Sequence, residues 1–550
     1  MRYKAACVQF NPEWGAKEAN CRELAAWVRR AAANGARLVV LPEMATTGYV
    51  FASREEIEPL VETIPGPTSA FFGRLAQECR VHLAVSYPEV EPDTNVYYNT
   101  AVLLDDEGQL VGKYRKLHSF VDETRWAKDG DGGIPVFETK LGTLAMMICM
   151  DATYFETARL ARHAGAEVIL FPNNWLNKAP SLSWRARALE NDVYFIAADR
   201  WGEERGVRFA GGSCIIDGRG QILAQQDTGD GLVMAQITLN EKNVAVQEEF
   251  GDAWERRRPS EYHSLVINSY LWAPSTVHSL PPGTESIIGV LQPKAQPHAP
   301  QAMLEGTEAA IAHVCKSTDD PPDLLVLPEA WIAGGEGAVR WAESIPGPLT
   351  STLMKWAEQY GVILVAGVPE CAEGRHYSSV VMVGAEEIYG VYRKLHLTLR
   401  DEAWCQPGNL GVPVIDLPLG RVALLTASDL FYPEIVRCAA KRGADLICAP
   451  ANWPRELPTW LWKERWVGND TALAVANLCG GPWAGDSSVF GNLESRDCLR
   501  VEGENTAACL RLRTEENSCI RQKEILRKLQ PFWYDPLVTP KSTIREREDE

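Results

Sequence analysis

Ala36-Arg-Leu-Val-Val-Leu-Pro-Glu43 and Pro322-Asp-Leu-Leu-Val-Leu-Pro-Glu329 are two versions of one phrase: an apolar, β-branched run, then Leu-Pro, then a glutamate. Such a run reads as a buried strand, and the proline ends its pairing. The glutamate therefore stands just past a strand end, where open α/β sheets hold their ligands. Working outward, Ile64-Pro-Gly-Pro67 returns as Ile345-Pro-Gly-Pro348, and Tyr114-Arg-Lys-Leu-His118 returns as Tyr392-Arg-Lys-Leu-His396. From Lys116 and Lys394 onward the step is constant at 278, linking Gly130 to Gly408, Glu156 to Glu434, Trp175 to Trp453 and Arg187 to Arg465. It is 286 at Glu43/Glu329 and 281 at Ile64/Ile345, so the first half holds eight additional residues between Glu43 and Lys116. Loops absorb such differences.

Within each half, strand-like runs (39–41, 82–85, 143–148, 168–171) alternate with stretches of helical spacing (21–34, 67–78, 156–165, 183–192). Asn34-Gly35 and Gly165 mark helix exits. The chain reads as a duplicated α/β protein. Its expected parts are a first domain at 1–272, a Pro-rich linker at 273–284, a second domain at 285–540 and a charged tail at 541–550.

Composition sets the limits. With 550 residues, 46% of them hydrophobic, the chain is ordinary for a soluble protein of two or more domains. A net charge of −18 argues against nucleic acid or an anionic membrane as partner. No apolar run is long enough to span a bilayer, and the first residues lack the pattern of a secretory signal, so a cytoplasmic address is expected. Fourteen cysteines fall without Cys-x-x-Cys pairs, which predicts neither disulfides nor zinc.

Three residue types at strand ends stand out: Glu43, Lys116 and Cys149. Singly, each has an ordinary reading as a loop acid, a surface cation and a buried thiol. Together, Leu-Pro-Glu43, Tyr114-Arg-Lys-Leu-His118, Cys149-Met-Asp-Ala-Thr-Tyr-Phe-Glu156, Phe171-Pro-Asn-Asn-Trp175 and Arg187-Ala-Leu-Glu-Asn191 resemble the nitrilase, or carbon–nitrogen hydrolase, superfamily. The resemblance spans both halves. It implies two α-β-β-α sandwich domains in tandem, paired within the chain as a pseudo-dimer, with further homo-oligomerisation open. It also implies a triad of Glu43, Lys116 and Cys149, assisted by Glu123 seven residues before Gly130.

The chemistry needs these groups. A thiol with a free pKa of about 8.5 is activated by a carboxylate that takes its proton and a cation that favours thiolate. Glu43 is expected as general base, with Lys116 and the backbone N–H of Met150 as donors to the oxyanion. Tyr49, Asn174 and Trp175 are the expected pocket residues; Trp175 recurs as Trp453, which favours a structural role. Asp151 and Glu156 are read as braces of the nucleophile turn, and His118 and His396 as supporting loop residues. Asp199 replaces an asparagine common in the family and kept as Asn477. No cofactor or metal is expected.

The second half carries Glu329, Lys394, Asp401 and Ala427 at the matching positions, and alanine is no nucleophile. Ser428 aligns with Met150, not with Cys149. That half is expected to be a silent scaffold. Nitrile-cleaving members typically read Cys-Trp-Glu, while Cys149-Met-Asp151 follows the amide and carbamoyl branches. The expectation is an amidase acting on a small-molecule amide. A carbamoyl-amide hydrolase, a nitrilase and a non-catalytic tandem binding protein are the alternatives.

Overall fold

The computed structural model describes residues 1–239, 244–268, 279–296, 299–317, 320–329, 331–332, 335–492, 497–515 and 518–540. The tail at 541–550 and the linker residues 273–278 lie outside the described residues. The chain divides into two compact units, Met1–Asn243 and Val244–Glu550. No described helix is long and apolar enough to cross a membrane.

The first unit is built on two six-stranded sheets. One runs in the order Gly231–Thr238, Arg2–Gln9, Ala36–Val40, His82–Glu91, Val96–Leu104, Leu110–Arg115. Its strands Arg2–Gln9, Ala36–Val40 and His82–Glu91 are parallel and the others join antiparallel. The second runs Ile222–Gln226, Ser213–Ile216, Tyr194–Asp199, Val168–Asn173, Gly142–Met146, Val136–Thr139, with the middle three parallel neighbours 194–199, 168–173 and 142–146.

Period-2 alternation decides the layering. Ala6 and Val8 enter an apolar core with the helices Lys17–Ala33 and Pro67–Cys79. Cys7 points the other way, its thiol lying 3.8 Å from the carbonyl of Cys214 in the second sheet. That sheet is covered in turn by the helices Phe155–His163 and Leu182–Asn191, whose core includes Phe171, Trp184 and Phe195. The result is helix, sheet, sheet, helix. Asn34 and Ala164 cap their helices, followed by Gly35 at φ 86° and Gly165 at φ 100°, as the Gly signals predicted.

The second unit repeats the plan, with sheets in the orders 388–393, 375–383, 363–372, 324–326, 285–292, 506–513 and 414–417, 420–424, 446–450, 472–476, 488–490, 498–500. It also contains the segment 244–267, which the sequence reading assigned to the first domain. Phe250 stacks on Phe431 at 4.8 Å, Arg257 pairs with Glu434 at 2.7 Å, and the Tyr262 hydroxyl lies 2.7 Å from Nε2 of His396. Lys441 donates to the carbonyl of Leu265 at 2.8 Å, ending the segment.

Candidate active site

The parallel strands of both sheets in the first unit end at one edge, and the chemistry-bearing residues follow those ends. Glu43 lies three residues past the strand Ala36–Val40, Lys116 directly follows Leu110–Arg115, and Cys149 opens a 3-10 turn, Cys149–Thr153, after Gly142–Met146. The structure brings Glu43, Lys116 and Glu123 into direct contact. Lys116 Nζ donates to Glu43 Oε1 at 2.7 Å and to Glu123 Oε2 at 2.5 Å. All of this is out of solvent: Glu43 is 0%, Glu123 1%, Lys116 2% and Cys149 6% exposed.

One residue that sequence reasoning missed ties the carboxylates together. The Asn99 side-chain amide donates to Glu43 Oε1 at 2.7 Å and to Glu123 Oε1 at 2.6 Å, while Ser86 Oγ contacts its carbonyl at 3.3 Å. Glu43 Oε2 is left buried with no hydrogen-bond partner among the described residues. Burial outweighs the attraction of Lys116 and pushes the Glu43 carboxyl up to about 7. Burial also works against charge on Lys116, but Glu123 and Glu43 prevail and hold it cationic, above the ordinary lysine range. The Cys149 thiol is pushed well up, by burial first and then by the Glu43 charge; Lys116 and the main-chain N–H of Asn174 oppose this.

Cys149 is held at φ 43°, a left-handed conformation that costs a non-glycine residue about 1–2 kcal/mol. Asp151 fastens the turn that imposes it. Its carboxylate accepts from Ile148 N at 2.9 Å, His118 N at 3.1 Å and the Tyr114 hydroxyl at 2.6 Å, and meets His118 Nδ1 at 2.8 Å. The strand end carrying Lys116 and the turn carrying Cys149 therefore share one anchor. Met150 follows Cys149 in this turn and is half-buried. Arg187 bonds the carbonyl of Ala152 at 3.1 Å and pairs with Glu190. The repeat of Asp151 and His118 as Asp429 and His396 is the sequence signal for this brace.

Tyr49 lies with its ring 5.8 Å from Lys116 Nζ and its hydroxyl directed at Glu123. Asn174 is 2% exposed, and neither polar atom of its side chain has a partner among the described residues. Trp175 packs edge-on against Trp184 at 5.5 Å, but its indole N–H is buried without a described partner, whereas that of Trp453 donates to Leu457 O at 3.1 Å. Asp199 accepts from Trp175 N at 2.9 Å, and burial pushes its carboxyl well above the usual range. Its counterpart Asn477 accepts from Trp453 N at 3.0 Å and donates to Trp453 O and Gly485 O at 3.2 and 3.0 Å. Asp199 Oδ2 is buried without a described partner, so the donor half of the Asn477 pattern has no counterpart among the described residues.

The second unit keeps the charges without the thiol. Lys394 Nζ lies 2.7 Å from Glu329 and 2.6 Å from Asp401. Ser378, structurally equivalent to Asn99, reaches only Glu329, at 2.8 Å, and Asp401 turns to Thr398 Oγ1 at 2.8 Å. The Asp429 brace survives intact on Tyr392 and His396. At Ala427 the match ends. That residue is not among the described positions with positive φ, and the 3-10 turn begins only at Asp429. The Ser428 hydroxyl is committed to His396 O at 2.9 Å.

Comparison with known proteins gives a consistent picture. The Carbon-nitrogen hydrolase family profile matches residues 4–243 and again 288–479. A Pyrococcus abyssi protein named nitrilase is 35% identical over 261 residues, covering 47% of this chain and 98% of its own length. The 2-oxoglutaramate amidase of Bacillus subtilis is 31% identical over 250 residues, covering 44% of this chain and 93% of its own. Among solved structures, a Saccharomyces cerevisiae member of branch 10 of the nitrilase superfamily aligns at 26% identity over 45% of this chain and 93% of that one, with a TM-score of 0.41.

Proposed function

The chain belongs to the carbon–nitrogen hydrolase family and is a hydrolase of C–N bonds other than peptide bonds; from that premise we propose that its first unit is an amidase whose triad is Glu43, Lys116 and Cys149. The observation that carries the reading is Glu43 itself: one oxygen is committed to Lys116 and Asn99, the other is buried without a described partner, and its carboxyl sits near 7. A base of that pKa can both take and return a proton at neutral pH.

Glu43 takes the thiol proton as Cys149 sulfur bonds to the amide carbon, and the electron pair of the carbonyl moves onto oxygen. Lys116 and the Met150 N–H stabilise that oxyanion. Collapse breaks the C–N bond, and the nitrogen leaves with the proton held on Glu43. Water then surrenders a proton to Glu43 while its oxygen attacks the thioester, and the second collapse expels the thiolate, which is reprotonated. Glu123 fixes Lys116 and keeps a second negative charge beside it. The second unit, with Ala427, performs none of these steps.

Ammonia release from a panel of amides, ureido acids and nitriles tests the reading. Amides are expected to react, Cys149→Ala to abolish turnover, and the wild type to give a mass increment of one acyl group at Cys149. Turnover surviving Cys149→Ala would overturn it.

A further inference from the structure

Two segments in which the first half is longer than the second meet beside the triad. Between Glu43 and Ile64 the first half has 21 steps against 16 from Glu329 to Ile345. Between Asp199 and Ser213, joined by equivalent hydrogen bonds in both halves, the separation is 14 against 10 for Asn477 and Ser487. The second difference is a hairpin, Trp201–Glu204 with Val207–Ala210, where the second unit has only Cys479–Gly480 with Trp483–Ala484.

The hairpin grips the loop at three points. Glu204 is 6% exposed, and its Oε1 accepts from Tyr49 N at 2.8 Å and Val50 N at 2.6 Å, while Oε2 takes Arg200 at 2.9 Å. Arg205 donates to Val50 O at 3.1 Å and Glu56 at 2.6 Å and lies over the Trp14 ring at 4.8 Å. Phe209 meets Tyr49 edge-on at 6.0 Å. Gly48, at φ 82°, is required at the closest approach, because a Cβ there would come within 2.6 Å of Glu204 Oε2. A buried carboxylate accepting two consecutive backbone amides fixes the peptide plane, and thereby the direction of the side chain between them. That side chain is Tyr49, which faces Lys116 and Glu123.

We propose that the hairpin 201–210 sets substrate size in the first unit, with Glu204 as the positioning residue that holds Tyr49 as a wall against the Lys116–Glu123 pair. The proposal rests on the amidase reading. The wall is aromatic, made of Tyr49 with Phe209, Phe51 and Trp126 in one buried cluster whose rings already touch. Arg200 and Arg205 are each neutralised by a carboxylate, Glu204 and Glu56, so neither is a free counter-charge for a substrate. The favoured substrate is accordingly a primary amide with a short, uncharged acyl group.

The test uses the full chain and two readouts. The first is the ratio of kcat/KM for hexanamide to that for propionamide. The second is alkylation of Cys149 by N-phenylmaleimide relative to iodoacetamide, located by mass spectrometry. Each methylene a pocket admits or refuses is worth roughly 10-fold or more, so Glu204→Ala is expected to raise both ratios at least about tenfold. Glu204→Gln, which retains an acceptor for the two amides, should return both most of the way. Arg205→Ala removes an exposed contact to Val50 O and Glu56, and should move both ratios in the same direction by less. If Glu204→Ala and Arg205→Ala slow all substrates and reagents equally, with both ratios unchanged, the wall is refuted while the amidase stands. If no amide is turned over by the wild type but the labelling ratio rises in the variants, the wall stands and the amidase reading falls.

Discussion

At the scale of the residue, the site turns on how little solvent reaches three charges. Glu43 carries a raised pKa because burial exceeds the help it receives from Lys116 and Asn99. Since the base must be ionised to take the thiol proton, kcat/KM should rise with pH, about tenfold per unit, up to a plateau beginning near 7. A flat profile between pH 5 and 7 would show that another group is the base. Asn99 lowers the Glu43 pKa by donating to it, so Asn99→Ala should shift that limb to higher pH as well as reduce the plateau rate. Losing a donor to two buried carboxylates is worth about 1–3 kcal/mol, or roughly 5- to 150-fold. Glu43, Lys116 and Cys149 stood out in the sequence because each lies in a recognisable phrase next to a strand-like run. Asn99 did not: it sits mid-way along an apolar strand, and only the hairpin register of Val96–Leu104 against Leu110–Arg115 brings it under Lys116.

At the scale of the element, the joint between the strand ending in Lys116 and the turn beginning at Cys149 matters most. Tyr114 and Asp151 form it, and Tyr392 with Asp429 form its copy. Tyr114→Phe and Tyr392→Phe remove the same hydrogen bond to a buried carboxylate, worth about 1.5–3 kcal/mol. Both should lower the melting temperature by several degrees, but only Tyr114→Phe should also lower kcat, because only its joint carries a thiol. Equal kinetic effects would refute that division. The strands and helices themselves follow the sequence patterns closely, with Lys17–Ala33 and Pro67–Cys79 covering the predicted helical stretches. The hairpin Trp201–Ala210 was invisible in sequence because its strands are only four residues long, the first, Trp-Gly-Glu-Glu, has no alternation, and its partners lie some 150 residues away.

At the scale of the whole chain, duplication explains the length, and the parting line between the compact units explains how the copies must be cut. Residues 244–267 belong to the second unit through Phe250, Arg257 and Tyr262. A fragment ending at 280 would present those side chains without their partners. It should therefore associate or precipitate in size-exclusion chromatography, where a fragment ending at 243 elutes as a smaller, dispersed species. A monodisperse 1–280 fragment would contradict this. The sequence placed the boundary later because the Pro-rich join is conspicuous in composition, whereas the docking of 244–267 depends on contacts with residues far along the chain. For the silent copy, Cys149→Ala combined with Ala427→Cys should show no turnover above that of Cys149→Ala alone.

The backbone at Cys149 bears on history as well as chemistry. In the first unit the left-handed residue and the turn starting with it present the sulfur. In the second, Asp429 N still bonds Thr426 O as Asp151 N bonds Ile148 O, but Ala427 is not among the described left-handed residues. Cysteine and alanine codons differ at two bases, and a cysteine placed at 427 would in addition lack the left-handed backbone that displays Cys149. The two copies are thus separated by backbone conformation as well as by the missing sulfur, so a single side-chain exchange does not bridge them.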